Sequence, residues 1–476
     1  MSAPVELLIR RHARSRWNAE RRIQGQAAAP GLAADGTAEA RAWAGTLSPA
    51  DGIRTVWSSS AARSIETATP AAQRLGARLR SNPVLDEVGA GRLEGLTHDE
   101  AARSHPDCHR VWTARGDLDA IPGAETGDAL QARALAFLAI AASPSGAAVH
   151  GTRQLAVTHA AFLRSLVNSA ERRERTWPVP IRHTDLHRLT DPWARLDSTE
   201  LGAPWRPAVH RVDTGPHGTY LVKVLAAPDG TADLARHRAR HDAVAAATGA
   251  PALLAAAPRP GGGAVTVRRH LPGSTVPHRI GPTAEWQLHA FYLRFSERIA
   301  TVFDTGTRSS LPSLRERVDA VLAGPATEAS GALRTLVAGR GVAALLADRS
   351  TVADFDLHRD NTLRTATGLT QIDFDGLCAG PRQWAGACAL VGASALYPAP
   401  TDGHDRPHTR LLAGDTADQR ELRLLVEIRL LLGLSFFLTG ARAHGGQAAG
   451  RYADLYRQAL VAYRPLAGRH PESAVA

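Results

Sequence analysis

The sequence predicts an α/β domain with a mainly parallel sheet flanked by helices, followed by a second region in which strands come first and helices after. Three observations carry this. Strand-like and helix-like segments alternate over the first ~190 residues, which is the pattern of a parallel sheet crossed by helices. A proline- and tryptophan-rich stretch from Asp191-Pro192-Trp193 to Pro204-Trp205-Arg206-Pro207 then breaks the pattern and marks a domain boundary. From about residue 283 the periodicity is almost wholly helical.

In order, Val5–Arg10 reads as a short buried strand, 36–47 as a helix and Thr55–Ser58 as a strand. Ala61–Leu75 has helical spacing, Gln154–Thr158 is a strand and Ala161–Ser169 a helix. Beyond the break come His210–Val212, the turn Gly215-Pro216-His217-Gly218 and the strand Thr219–Leu225. A helix at about 232–247, the strand Ala264–Arg269 and the break Leu271-Pro272-Gly273 follow. Two short strand-like runs, VADFD and LTQIDFD, fall within Val352–Asp375, and a last helix covers about 451–463.

The chain has 476 residues, 44% of them hydrophobic, enough to bury sizeable cores. No run of 18 apolar residues suggests a membrane span, and the opening MSAPVELLIRRHARS does not read as a signal peptide. Cys108, Cys378 and Cys388 lack metal spacing and fit a reducing, cytoplasmic compartment. The net charge is +10, but basic residues form no long block with interleaved aromatics, so a solvated arginine surface is expected rather than nucleic-acid binding. Of 56 basic side chains a single one, Lys223, is lysine. Where arginine has replaced lysine so thoroughly, the survivor points to a need for a compact ammonium, as in contact with nucleotide phosphates. Oligomeric state leaves no trace in the sequence.

Arg11-His12 directly follows the first strand, and strand ends are where ligands collect in α/β sheets. Ser15 and Asn18 follow with donors spaced to reach the same cleft. Arg63 opens the helix after Val56–Ser60, and His159 directly follows another strand. Two histidines and two arginines so placed can surround a phosphoryl group, a neutral imidazole can attack phosphorus, and Glu87 can protonate the leaving oxygen. The blocks LIRRHARSRWN with RIQGQ, WSSSAARSIETA, LDEVGAGRLEGL and LAVTHA, in this order, resemble the histidine phosphatase (phosphoglycerate mutase-like) superfamily over about residues 5–190. The resemblance implies that His12 becomes phosphohistidine, that Arg11, Arg63 and His159 form the phosphate pocket, that Glu87 is the proton donor, and that Ser15 and Asn18 support them. Ala13 and Ala160 stand where that family usually has glycine. The pairs His183/His187 and His237/His241 have i,i+4 spacing but no third ligand in view, and are taken as accidental.

A second constellation is Val352-Ala-Asp-Phe-Asp356-Leu-His358-Arg-Asp-Asn361, followed by Gln371-Ile-Asp373-Phe-Asp375. Asp356 can accept a hydroxyl proton, and Asn361 and Asp373 offer the hard oxygens that Mg²⁺ requires. This resembles the aminoglycoside phosphotransferase/choline kinase-like branch of the protein-kinase fold, with Asp354-Phe355 replacing the usual His-Gly, over about 205–465. The resemblance implies a two-lobed α+β kinase domain that uses ATP and Mg²⁺, with Lys223 as the phosphate-binding lysine, RRHLPG (268–273) linking the lobes, and Asp242 or Asp233 as the helix partner of the lysine.

The expected organisation is therefore a phosphatase-like domain over 1–198 and a kinase-like domain over 205–470, with lobes at about 205–272 and 273–470. The expected function is that of a bifunctional small-molecule phosphatase and kinase of specialised, antibiotic-related metabolism. Two alternatives differ in class: a kinase with a phosphate-binding or regulatory N-terminal module, and a non-catalytic drug- or partner-binding protein.

Overall fold

A computed structural model describes residues 4–114, 118–171, 182, 185–201, 208–225, 234–260, 262–303, 308–397, 406–444 and 447–467. The residues Pro204–Pro207, His183 and Asp233, singled out above, lie outside this set. The chain divides into two compact units, the first comprising Met1–Gly202, Pro207–Arg238 and Leu253–His270, the second Ala203–Arg206, Ala239–Ala252 and Leu271–Ala476.

The first unit holds two five-stranded sheets. One contains β1 (Glu6–Arg11), β2 (Thr55–Ser58), β3 (Arg78–Ser81), β4 (Arg153–Thr158) and β5 (Leu186–Thr190), in the order β3-β2-β4-β1-β5. Every pairing is parallel except β1 with β5, which matches the expected mainly parallel sheet. β1 and β4 are buried runs (LLIR and QLAVT), as strands covered on both faces must be. Their register sets Arg11 opposite Thr158, so the next residue of each strand, His12 and His159, emerges side by side. β2 ends beside them, and its continuation turns into the helix Ala62–Leu75 that carries Arg63.

The other sheet is antiparallel, β6 (Asp197–Leu201), β7 (Ala208–Asp213), β8 (Thr219–Leu225), β9 (Ala255–Pro258) and β10 (Ala264–Arg269), in the order β6-β7-β8-β10-β9. Lys223 lies on β8 opposite Thr266. Helix Gly127–Ala141 packs against β8, β9 and β10 on one side and against helix Ala160–Glu171 on the other. Every residue from Leu130 to Ala141 except Arg133 is buried, because both faces of this helix are covered. Val222, Val265 and Val267 thus share one core with Leu135, Phe137 and Phe162. Compactness groups 207–238 and 253–270 with the phosphatase-like segment, whereas the sequence motifs group them with the segment that follows.

The second unit is mostly helical. Its long helices, Pro282–Val302, Ala417–His444 and Gln447–Ala467, pack with shorter ones on a single core. Set among them are a strand pair, β12 (Thr351–Asp354) with β15 (Leu377–Gly380), and a small sheet of β11 (Ser274–Thr275), β13 (Thr362–Thr365) and β14 (Gly368–Gln371). The run LTQIDFD stops being strand at Gln371; Ile372–Phe374 have no regular structure and lead into a turn at Asp375-Gly376. No helix among the described residues is long and apolar enough to cross a membrane.

Burial makes the fold acid-sensitive. His289 in the second unit is pushed down to about 4 by desolvation, and His150 in the first is also pushed to about 4 by burial and by Arg80, Arg259 and Arg78. Both stay neutral in the folded chain while the unfolded chain takes up protons from about pH 6.5. Stability is therefore full above pH 6.5 and declines as pH falls from 6.5 toward 4, with about 3 kcal/mol at stake for His289. Melting temperatures taken from pH 7 to 4.5 should fall steadily, and His289→Gln should flatten part of the fall. A flat profile in the wild type would contradict it.

Candidate active site

The site is built at the C-terminal ends of β1, β2 and β4. His12 is 2% exposed, and its main-chain N–H donates to Thr158 O across the sheet (2.8 Å). Its Nδ1 lies 2.7 Å from Ala13 O. A carbonyl can only accept, so Nδ1 carries the proton and Nε2 carries the lone pair. Burial, together with the charges of His159, Arg11 and Arg63, holds the imidazole well below its ordinary value of 6.5. The buried setting of His12 thus disfavours the protonated ring and keeps the proton on Nδ1.

His159 is also buried, and the two rings lie 5.0 Å apart, tilted by 58°. Its Nε2 meets Ser59 Oγ at 2.7 Å, while Nδ1 is buried with no protein partner. Arg63, wholly buried, donates from Nη1 to Ala27 O (2.6 Å) and from Nη2 to Gly25 O (3.1 Å), fixing the loop above the pocket. Arg11 Nε is buried without a protein partner. Desolvation pulls both guanidinium groups down from their usual range, and Glu87 partly offsets this. The charges of Arg11 and Arg63 act on both His12 and His159, so two guanidinium groups and two imidazoles lie close together, a set of side chains chemically able to receive a compact dianion.

Glu87 closes the opposite side. Its Oε1 accepts from the N–H groups of Val88 (3.0 Å), Ala161 (3.1 Å) and Phe162 (3.2 Å), at the start of helix Ala160–Glu171. A cavity of about 420 Å³ is lined by Arg11, Asn18, Arg22, Gln24, Glu87 and Arg164 among others, while His12, Arg63 and His159 are not among its lining residues. Ser15 stands back from it. Its hydroxyl caps the short helix Arg16–Ala19 by accepting from Asn18 N (3.1 Å) and lies 2.8 Å from Gln24 Oε1. Asn18 reaches the cavity wall, and Ser15 holds Asn18 and Gln24 in place.

The family match spans the residues of this site. The sequence profile of the histidine phosphatase superfamily (branch 1) matches residues 7–191. Phosphoglycerate mutase-like protein 4 of Arabidopsis thaliana is 32% identical over 168 residues, which is 35% of this chain and 71% of that protein. The chain belongs to the histidine phosphatase superfamily. Bifunctional protein Rv2228c of Mycobacterium tuberculosis is 36% identical over 125 residues, 26% of this chain and 34% of that protein. Among solved structures, mycobacterial glucosyl-3-phosphoglycerate phosphatase Rv2419c aligns at 22% identity with a TM-score of 0.32, covering 41% of this chain and 92% of that one.

Within this family the two alanines next to the histidines are notable. Ala13 is buried, and its N–H donates to Thr67 Oγ1 (3.0 Å). Among the described residues the non-glycines with positive φ are Arg21 and Asp191, so Ala13 and Ala160 hold backbone conformations that accept a methyl group without strain. Sequence reasoning missed Gln24 and Arg133. Arg133 left a signal, being the lone charge in the apolar run ALQARALAFLAIAA.

The other constellation lies in the second unit and outside the matched residues. Asp356 follows β12; its main-chain N–H donates to Asp354 Oδ1 (3.0 Å) and its carbonyl accepts from Asn361 Nδ2 (3.1 Å). Ile372 N donates to Asn361 O (2.9 Å), and Gln371 Nε2 to Asp373 O (2.8 Å), so the β13–β14 hairpin returns Asp373 to this loop. Burial, with Asp356, Asp373 and Asp375 nearby, raises Asp354 well above the usual carboxylate range. His241 Nε2 contacts Asp375 Oδ1 at 2.7 Å, which gives this histidine a carboxylate partner that its i,i+4 spacing with His237 did not reveal. Asp242 lies on the same helix, Leu234–Thr248.

Proposed function

We propose that the chain is a two-activity phosphoryl-transfer enzyme: a phosphohistidine-dependent phosphomonoesterase in the first unit, and an ATP- and Mg²⁺-dependent kinase acting on a small-molecule hydroxyl through the loop around Asp356. The single observation that carries the first activity is the tautomer of His12, fixed by Ala13 O, which leaves the Nε2 lone pair for phosphorus. That nitrogen attacks, the P–O bond breaks, and Glu87 protonates the departing alkoxide. Water then attacks the phosphohistidine with Glu87 as base, and the N–P electron pair returns to Nε2. Arg11, Arg63 and His159 hold the equatorial oxygens while, in each step, one apical position is Nε2 and the other the leaving or attacking oxygen. The test is trapping: wild-type protein quenched with a phosphomonoester should carry one phosphoryl group on the His12 peptide. A substrate that turns over with no label there rejects the reading.

The kinase reading rests on the loop that brings Asp356, Asn361 and Asp373 together. Asn361 gives its amide hydrogen to Asp356 O, and its amide oxygen together with the Asp373 carboxylate would make a hard donor set suited to Mg²⁺. Bound there, the ion would neutralise charge on the nucleotide phosphates. Asp356 would orient the acceptor hydroxyl and take its proton. Lys223 on β8 is the remaining candidate for a phosphate contact. If both activities met the same position of the same molecule at once, the net result would be ATP hydrolysis. We therefore assign them to different positions or to successive intermediates. Phosphorus NMR of ATP with a panel of hydroxylated metabolites tests this, and a panel without any ATP-dependent phosphoester rejects it.

A further inference from the structure

We propose that Arg133 is the positioning residue for the proton donor of the phosphatase site, an inference that rests on the role given above to Glu87. Arg133 projects from helix Gly127–Ala141, whose surrounding residues are buried on all sides and give it a rigid base. All five of its N–H hydrogens are engaged. Nη1 donates to the carbonyls of Val84 (2.9 Å) and Asp86 (2.7 Å), and Nη2 donates to the carbonyl of Glu87 itself (3.1 Å). Nε and Nη2 form a paired bridge to Glu125, at 2.7 and 2.6 Å.

Pro83–Leu85 form a 3₁₀ turn and Asp86–Glu87 continue without regular structure, so one guanidinium collecting the carbonyls of Val84, Asp86 and Glu87 orders the segment. Glu125 secures the far end. Its N–H donates to Gly89 O (3.0 Å), and its Oε2 accepts from Gly89 N (3.3 Å). The face of the guanidinium lies 5.2 Å from the Phe162 ring, and the Phe162 N–H is one of the donors to Glu87 Oε1. Arg133 thus fixes Glu87 twice, through the backbone that carries it and through the residue that grips its carboxylate. A lysine offers three donors on a tetrahedral centre and cannot span three carbonyls and a carboxylate in one plane.

Such a role makes a specific kinetic mark. An alkyl phosphate needs its leaving oxygen protonated, whereas p-nitrophenyl phosphate has a leaving group stable enough to depart without help. The kcat/KM for each reports the steps through phosphohistidine formation only. We expect Arg133→Met to lower kcat/KM on glycerol 2-phosphate by about 10²-fold. On p-nitrophenyl phosphate it should change by less than about threefold, and inhibition by inorganic phosphate should be unchanged. Glu87→Gln should show the same split, and Arg133→Lys a smaller one of the same kind. Equal losses on both substrates, or no loss on either, while Glu87→Gln keeps its split, would overturn the role of Arg133 and leave that of Glu87 standing. No split in Glu87→Gln would overturn the assignment of Glu87 itself. If Arg133→Met fails to fold, the same comparison in Arg133→Lys decides, an absent split being the negative result.

Discussion

His12→Ala should lower kcat/KM for a phosphomonoester by roughly 10⁴-fold, the scale of removing a covalent nucleophile. The loss should be one of chemistry, not of binding. Arg11, Arg63 and His159 are positioned by other contacts: Arg63 by Gly25 O and Ala27 O, His159 by Ser59. Inhibition by inorganic phosphate should therefore persist in the variant, while the phosphoryl label on the protein disappears. The pH dependence follows from burial of the imidazole. His12 sits well below 6.5, so the wild-type kcat/KM should show no fall at pH 6.5 attributable to protonation of the nucleophile. A variant that keeps its rate but loses phosphate inhibition would reverse the roles of His12 and the arginines.

What the sequence makes legible is what local chemistry dictates. β1 and β4 are short apolar runs ending in a charged or imidazole residue, and the strand end itself told where His12 and His159 would sit. β8 and β10 fall on the expected Thr219–Leu225 and Ala264–Arg269. Helix Gly127–Ala141 escaped notice because its signal is the absence of a period. A helix covered on both faces is apolar all round, and the second sheet that covers it is brought there only by tertiary packing. The same packing hid the compact grouping of β7–β10 with the first unit. No local pattern reveals that Val222, Val265 and Val267 face Phe137 and not a core of their own. Arg133 was visible as a lone charge in an apolar stretch, but its five hydrogen bonds go to the 84–87 segment, 40 to 50 residues before it, and to Glu125. Ala13 and Ala160 are the converse. Sequence flagged them as departures, and only the backbone angles show that a methyl group fits there without strain.

Asp356→Asn should abolish ATP-dependent phosphoester formation, by at least about 10²-fold, while leaving phosphomonoester hydrolysis by the same protein unchanged. The substitution is nearly isosteric, and the hydrogen bonds that shape this loop use the main chain of Asp356. Its N–H is held by Asp354 and its carbonyl by Asn361, and neither depends on the side-chain charge. The neighbouring Phe355 ring, 3.8 Å from the buried Arg429 guanidinium, is likewise untouched. A loss of kinase activity would then measure proton acceptance by one carboxylate and not a collapsed loop. Lys223→Arg is the companion test. If an ammonium is what this position requires, the bulkier planar guanidinium should raise the KM for ATP about tenfold or more and leave the phosphatase rate alone. Full ATP-dependent activity in both variants would remove the kinase reading, and the chain would then be a histidine phosphatase whose second unit has another purpose. Loss in both, with hydrolysis intact, would place two chemically independent phosphoryl transfers on one polypeptide.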